Sequence, residues 1–148
     1  MRGSLWDSRA RRELLDRLGR LKPDAQPLWG KMNAPQMLAH LLDWMRMAKG
    51  ELPTVPKNVP LRHAPLKQLA IYWLPFPRRV PTAPELVSRE PQEWMVEHAE
   101  VCRHLGSFET LDPATLCPDH PAFGYLTPKA WGVLGYRHTD HHLRQFRV

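Results

Sequence analysis

The sequence predicts an all-α protein, a four-helix bundle with long proline-rich crossover connections and a short extra helix. Four stretches repeat apolar residues every three or four positions, which places them on one face of a helix. No run alternates β-branched and polar residues, and no Asn-Gly hairpin signal occurs. Prolines crowd residues 53–65 and 75–91, where no long helix or strand persists. Bundles of this kind place metal and ligand sites between facing helices.

The composition predicts one globular domain, 1–148, since 43% of the residues are hydrophobic and 24% are charged. No apolar run approaches the roughly 20 residues of a membrane span. The beginning of the chain has no apolar signal core, and the two cysteines, Cys102 and Cys117, form no C-x-x-C pair. We therefore expect a reduced, cytoplasmic setting, although a single disulfide stays open.

The formal net charge is +6, and basic residues cluster on the first predicted helix and near residue 140. The members are Arg9, Arg11, Arg12, Arg17, Arg20 and Lys22, and then Arg137, Arg144 and Arg147. Such clusters can bind nucleic acid, but no nucleic-acid motif accompanies them. A solvated helix face is the preferred interpretation, and nucleic-acid binding is the less favoured one.

The first helix is predicted to begin at a Ser8 cap and to run to about Arg20. Its apolar face consists of Leu14, Leu15, Leu18 and Leu21. Gly19 and Pro23 mark its end, because glycine and proline both favour termination of a helix.

The second helix is predicted to begin at Asn33, with Pro35 in its first turn, and to end near Lys49 before Gly50. Its buried stripe consists of Met37, Leu41, Trp44, Met45 and Ala48. His40 lies on or beside this stripe. A lone histidine in that position is commonly a core residue hydrogen-bonded to a neighbour.

A short apolar helix is predicted over Leu66 to Leu74, followed by a third long helix from Pro91 to His104 with Gly106 as its stop. The aromatic group Tyr72, Trp73 and Phe76 is expected to cover one end of the core or to join a dimer interface. The helical stripe of the third long helix is Trp94, Met95, His98, Val101, Cys102 and Leu105. His98 and Cys102 are four apart and could pair on a metal, but a core role is favoured.

The last helix begins at a Thr127 cap with Pro128 in its first position. Trp131, Leu134, His138, His142 and Gln145 step along one side by three and four residues. His138 and His142 therefore continue an apolar stripe one turn apart, so they can hold one metal ion from one helix. A third ligand must come from elsewhere. The alternative is that the histidines here, His141 among them, are polar residues of a solvated helix.

Three segments resemble the DinB-like superfamily of metal-binding four-helix bundles, and most of all a branch described as a domain of unknown function. They are Trp29 to Leu41, Pro81 to Glu85, and Trp131-Gly132 with His138 to Phe146. The resemblance implies a metal held by one histidine of the second helix and an H-x-x-x-H pair of the fourth long helix. The implied ligands are His40, His138 and His142, with His141 either supporting the ligands or lining the pocket.

The resemblance extends to Gln145, which matches the glutamine that follows the family's histidine pair, whereas Arg144 replaces the glycine common before it. Three neutral imidazoles leave open positions on a divalent ion, for which zinc is our first choice and nickel our second. Asp43 and Asp140 are candidates to accept hydrogen bonds from the second ring nitrogens of the ligands.

The function implied by the resemblance is that of a thiol-dependent S-transferase or a related metal-assisted enzyme. Its partners would be a low-molecular-weight thiol and an electrophilic small molecule, and the chain would form a homodimer through helix faces. Two alternatives stay open: a metal-containing structural or stress-associated protein without turnover, and a basic nucleic-acid binder.

Overall fold

The computed structural model describes residues 3–78, 89–116 and 119–148, which form five α-helices and one two-stranded sheet. The helices are α1 (Ser8–Leu18), α2 (Ala34–Ala48), α3 (Leu66–Tyr72), α4 (Trp94–Gly106) and α5 (Pro128–Gln145). Short 3-10 turns cover Pro60–Arg62, Ser107–Glu109 and Pro113–Thr115. Four long helices and one short helix confirm the predicted all-α class and bundle.

Two helix starts lie where their capping residues predict. The Asn33 side chain accepts the backbone N–H of Gln36, and the Gln36 side chain accepts the N–H of Asn33, so α2 opens with a capping box. The Thr127 hydroxyl accepts the N–H of Ala130 at the start of α5. These signals are local, which is why the sequence alone locates them.

Two other starts differ from the prediction by a few residues. The cap of α1 is Asp7 rather than Ser8, because the Asp7 carboxylate accepts the N–H of Ala10 at 2.8 Å. The α4 helix begins three residues after the predicted Pro91, since the Glu93 carboxylate caps its first turn. In both places a carboxylate takes the position, and its negative charge also suits the positive end of the helix dipole.

The core lies around α2, which packs against α4 and α5. Nearly every residue of α2 is buried, the whole predicted stripe included, as expected for a helix covered on several sides. His40 is buried with that stripe, at 4% exposure. The α5 helix packs on α1, α2 and α3, so one side of it meets α2 along the row that carries the two predicted ligands.

A small antiparallel sheet was not predicted. Strand β1 (Asp119–His120) pairs with β2 (Gly124–Tyr125), with Asp119 opposite Tyr125 and His120 opposite Gly124. Two residues per strand are too few to give an alternating pattern, so the sequence holds no signal for it. Gly124 has a φ of +65°, a left-handed conformation that glycine adopts without strain.

Two segments of the prediction fall outside the described residues. The Pro81-Thr82-Ala83-Pro84-Glu85 motif of the crossover lies in the undescribed range 79–88, and Cys117 lies in 117–118. Cys102 is described, half-buried, and a free thiol.

The basic residues predicted on the first helix do not all lie on a solvated face, and the prediction is wrong for two of them. Arg11 is 5% exposed and donates to the Leu5 carbonyl oxygen at 2.8 Å. Arg17 is 8% exposed and pairs with the Asp140 carboxylate at 2.7 Å. The exposed members are Arg9, Arg12, Arg20 and Lys22. The two buried guanidiniums are therefore structural, and Arg17 joins α1 to α5.

A buried ion-pair network ties residue 89, the first described residue after the crossover, to α2 and α4. Arg89 donates two hydrogen bonds to the Glu97 carboxylate, at 2.6 and 3.0 Å, and its Nε lies 3.2 Å from Asp43 Oδ1. Glu97 is fully buried. Burial raises the pKa of Glu97, but the hydrogen bonds from Arg89 and from the Gln92 N–H outweigh it, so the pKa lies below its ordinary value.

Part of the predicted core is exposed. Trp73 is 67% exposed and Met95 is 66% exposed, whereas Tyr72 and Phe76 pack against the core as expected. The homodimer that this aromatic surface suggests stays a prediction. None of the helices in the described ranges is both long enough and apolar enough to span a membrane.

Candidate metal centre

Three imidazoles lie close together between α2 and α5, and they belong to the three residues predicted as metal ligands. His40 comes from α2, and His138 and His142 come from successive turns of α5. Their ligand atoms all lie within 4.8 Å of one another, with 3.0 Å between the Nε2 atoms of His40 and His138. The structure thus brings together side chains that are 98 positions apart in the chain.

The dimensions of this cluster suit a single ion. In a tetrahedral zinc site, with zinc–nitrogen distances of about 2.0–2.1 Å, the ligand nitrogens are about 3.3 Å apart. The observed separations, 3.0 Å for one pair and no more than 4.8 Å for the others, need only small ring movements to reach that value. Three histidines close together can therefore hold a metal ion, and that they do so stays a prediction.

Gln145 fixes the tautomer of His142. Its amide nitrogen donates to the Trp29 carbonyl oxygen at 2.6 Å, so its amide oxygen faces His142 Nδ1 at 2.9 Å. Because that oxygen can only accept, Nδ1 carries the proton and Nε2 keeps its lone pair. Burial, and then the neighbouring His40, lower the pKa of His142 to about 3. His142 is therefore neutral at pH 7, with Nε2 free to bind a metal.

The two carboxylates expected to orient the ligands pair with arginines instead. Asp43 contacts Arg89 and lies 3.5 Å from Arg46. Asp140 contacts Arg17 at 2.7 Å and Arg144 at 3.0 Å. A carboxylate forms a stronger hydrogen bond with a guanidinium than with a neutral imidazole, so Asp43 and Asp140 bind the nearby arginines.

His138 is half-buried, but one of its ring nitrogens is shielded from solvent. Its Nδ1 is one of two buried side-chain nitrogen or oxygen atoms without a hydrogen-bond partner in the described part of the chain. Burial lowers its pKa well below the ordinary value, and the neighbouring His142 and His40 lower it further. Buried polar atoms are seldom left unpaired, and exceptions concentrate at functional sites. The Nε2 of the same ring lies 3.0 Å from His40 Nε2 and is therefore the nitrogen that faces the other two histidines.

The cluster forms part of the wall of a cavity of about 1010 Å³. Binding sites for small molecules are commonly clefts of about 300–1,000 Å³ with mostly apolar walls. This one has aromatic walls that include Trp29, Trp44, Phe76 and Phe123. An ion held by the histidines would therefore face an open cavity, as in catalytic sites, rather than being closed off as in structural sites.

His141 belongs to the cavity wall, one of the two roles that the resemblance implied. Its ring centroid lies 5.5 Å from that of Trp29 and 5.8 Å from that of Phe76, so two aromatic rings flank it. Burial lowers its pKa, an effect that Asp140 opposes. It does not belong to the three-histidine group.

The second possible ligand pair has a structural explanation. His98 Nε2 donates to the Leu18 carbonyl oxygen at 2.9 Å, which links α4 to the end of α1. The other ring nitrogen lies 3.8 Å from the sulfur of Cys102. Burial raises the pKa of the Cys102 thiol, so it stays protonated at pH 7. This agrees with the core role favoured for both residues.

His120 is a residue of the cavity wall that the sequence alone does not predict. His120 lines the cavity, and its Nδ1 accepts the backbone N–H groups of Ala122 at 3.1 Å and Phe123 at 3.3 Å. Burial lowers its pKa to about 3, so the ring is neutral and its one proton is on Nε2. No helical spacing relates it to the other histidines, and the sequence signals only a turn there.

Fold and site together define a helical bundle in which a three-histidine cluster, suited to one metal ion, opens into an aromatic cavity. The sequence matches the DinB superfamily over residues 7–146, and the chain belongs to that superfamily. No curated protein and no solved structure shows significant similarity to it. The family assignment confirms the resemblance drawn from the sequence.

Replacing Gln145 with leucine is expected to weaken zinc binding by about 10–100-fold, the usual effect of removing a partner that orients a metal-bound histidine. Without the amide, the proton of His142 is no longer held on Nδ1. Competition with a chromophoric chelator measures the dissociation constant. Gln145→Glu keeps the acceptor oxygen beside His142 but loses the donor to the Trp29 carbonyl oxygen, so it should lose less affinity than Gln145→Leu without matching the wild type. Equal losses in both variants would contradict the tautomer argument.

Proposed function

We propose that His40, His138 and His142 bind one divalent ion, zinc in first place and nickel in second, and that the protein transfers a low-molecular-weight thiol to an electrophilic small molecule. The observation that carries the proposal is the position of the cluster in the wall of a cavity of about 1010 Å³. In a structural site, by contrast, protein ligands fill all the coordination positions of the ion.

A divalent ion held by three imidazoles keeps an open coordination position and strongly lowers the pKa of a thiol or water molecule placed there. The described cavity wall contains no carboxylate that could accept a proton. A nucleophile that ionises readily is therefore favoured, and on zinc a coordinated thiol is deprotonated outright, whereas bound water still has a pKa of about 7. This difference supports a thiol rather than hydrolysis.

The residues of the chain have separate parts in this reaction. Trp29, Trp44 and Phe76 supply apolar walls that exclude water from the reacting groups. His120 offers its Nε2–H to an oxygen of the electrophile and stays neutral while doing so. The thiol loses its proton to solvent, its sulfur forms a bond to the electrophilic carbon, and the leaving group departs with the bonding electron pair.

The test is turnover with a panel of thiols and one generic electrophile, 1-chloro-2,4-dinitrobenzene, using protein loaded with zinc or nickel. We expect at least one thiol to react faster than with metal-free protein, and His138→Ala to remove the difference. His98→Ala, which changes an imidazole outside the cluster, is the matched control and should keep the rate. A loaded protein that binds one ion but accelerates no thiol would favour the non-catalytic metal-containing alternative.

A further inference from the structure

Three cationic side chains in the described part of the cavity wall have no acidic partner among the described residues. They are Lys31, Lys57 and Arg78, and none forms an ion pair with a described residue. The described wall includes no aspartate or glutamate. The described part of the cavity therefore has a positive potential that nothing in its own wall neutralises.

Arg78 has the best defined position of the three. Its guanidinium carbon lies 4.7 Å from the ring centroid of Trp29, a cation–π distance. Trp29 is itself fixed to α5, because its carbonyl oxygen accepts from the Gln145 side chain and the adjacent Leu28 N–H donates to the Gln145 carbonyl oxygen at 2.7 Å. A stacked guanidinium keeps its in-plane N–H groups available, and these match the two oxygens of a carboxylate.

An aromatic surface connects this cation to the histidine cluster. From Trp29 the next ring is His141, at 5.5 Å between centroids, and from His141 the next is His142, at 5.3 Å. Phe76 also lies near His141, at 5.8 Å between centroids. The ring planes are inclined to one another by 57° to 81°, so an apolar ligand would contact their edges and faces in turn, with one end at Arg78 and the other at the cluster.

We infer that the cavity, whose described wall also carries Lys31 and Lys57, binds an organic anion with an apolar body, whose anionic group pairs with Arg78 and whose other end reaches the three histidines. The inference depends on the proposed function only for what happens at the histidine end, where the reacting atom would lie. Ligands with a cationic group at the Arg78 end are excluded by repulsion, and neutral ligands lack the charge-assisted hydrogen bonds.

The test uses two fluorescent probes with the same aromatic skeleton, 8-anilinonaphthalene-1-sulfonate and uncharged N-phenyl-1-naphthylamine, on the folded metal-free chain. Arg78→Gln is expected to raise the dissociation constant of the sulfonate about tenfold and that of the neutral probe less than about twofold. Arg12→Gln removes the same charge from an exposed position on α1 and should change neither. Mutual displacement at one site per chain, with an unchanged melting temperature, shows that the folded cavity is probed.

The result that overturns the inference is an equal response of the two probes to Arg78→Gln and to the triple variant that also carries Lys31→Gln and Lys57→Gln. Its failure is distinct from failure of the proposed function, because no metal and no thiol enters this measurement. If the chain prefers the sulfonate but shows no metal-dependent thiol turnover, only the proposed reaction is refuted. If turnover occurs but both probes bind equally well, only the anion preference is refuted.

Discussion

Zinc is expected to raise the melting temperature of the wild-type chain and to leave that of His138→Leu unchanged. A ligand that binds the folded state at about 100 times its dissociation constant adds about 2.7 kcal/mol to the free energy of unfolding. For a domain of this size that corresponds to about 5–10 °C. Calorimetry with and without zinc measures the melting temperature, and elemental analysis after dialysis measures the amount of bound zinc.

The same variant should behave differently without metal. The Nδ1 atom of His138 is buried without a hydrogen-bond partner in the described part of the chain, and such an atom costs about 1–3 kcal/mol, which leucine does not incur. Metal-free His138→Leu should therefore melt no lower than metal-free wild type, so that zinc reverses the order of the two. His141→Leu, the adjacent histidine outside the cluster, is the control and should keep the zinc response. One equivalent of tightly bound zinc in His138→Leu would refute the assignment of the ligands.

Arg89→Met is expected to lower the free energy of unfolding by about 3–5 kcal/mol, the usual effect of removing one partner of a buried ion pair. The variant leaves Glu97 fully buried without its guanidinium, and Asp43 loses a partner as well. Urea denaturation at pH 7 measures the change. Glu97→Gln in the Arg89→Met background removes the buried charge and should restore part of the loss.

The effect of Arg89→Met should shrink as the pH falls. The wild-type pKa of Glu97 is lowered, so the stability that this carboxylate contributes is present above its unfolded pKa and is lost as the pH falls through the folded pKa. In the variant, the fall in pH protonates Glu97 and so removes its uncompensated negative charge. Arg103→Met breaks an exposed pair with Glu100 and should lower stability far less than Arg89→Met does, because solvent screens the exposed pair. Similar losses at Arg89 and Arg103 would contradict the buried-pair argument.

The helices could be predicted because their signals are local. Asn33 and Thr127 cap helices whose apolar residues repeat at the helical period, and both caps are observed. The spacing of His138 and His142 is local in the same sense. His40 needed the family resemblance, because nothing in the sequence near it tells a metal ligand from an ordinary core histidine.

The remaining features of the site depend on loops that approach the cluster only in the folded chain. His120 reaches the cavity through a two-residue strand, and Arg78 through its contact with Trp29. Asp43 was expected to support an imidazole, but Arg89 binds it from a segment whose path the sequence does not predict. Competition among partners of this kind is decided by tertiary distances rather than by sequence spacing.

The order of the three histidines along the chain has a consequence for when an ion can be acquired. The ribosome makes α2 long before α5, so a growing chain offers one imidazole, His40, while its two companions are not yet synthesised. One imidazole holds a divalent ion poorly. An ion bound by all three histidines would therefore be acquired only after α5 has been synthesised. Which metal such a site held would then depend on the ions available to the finished molecule.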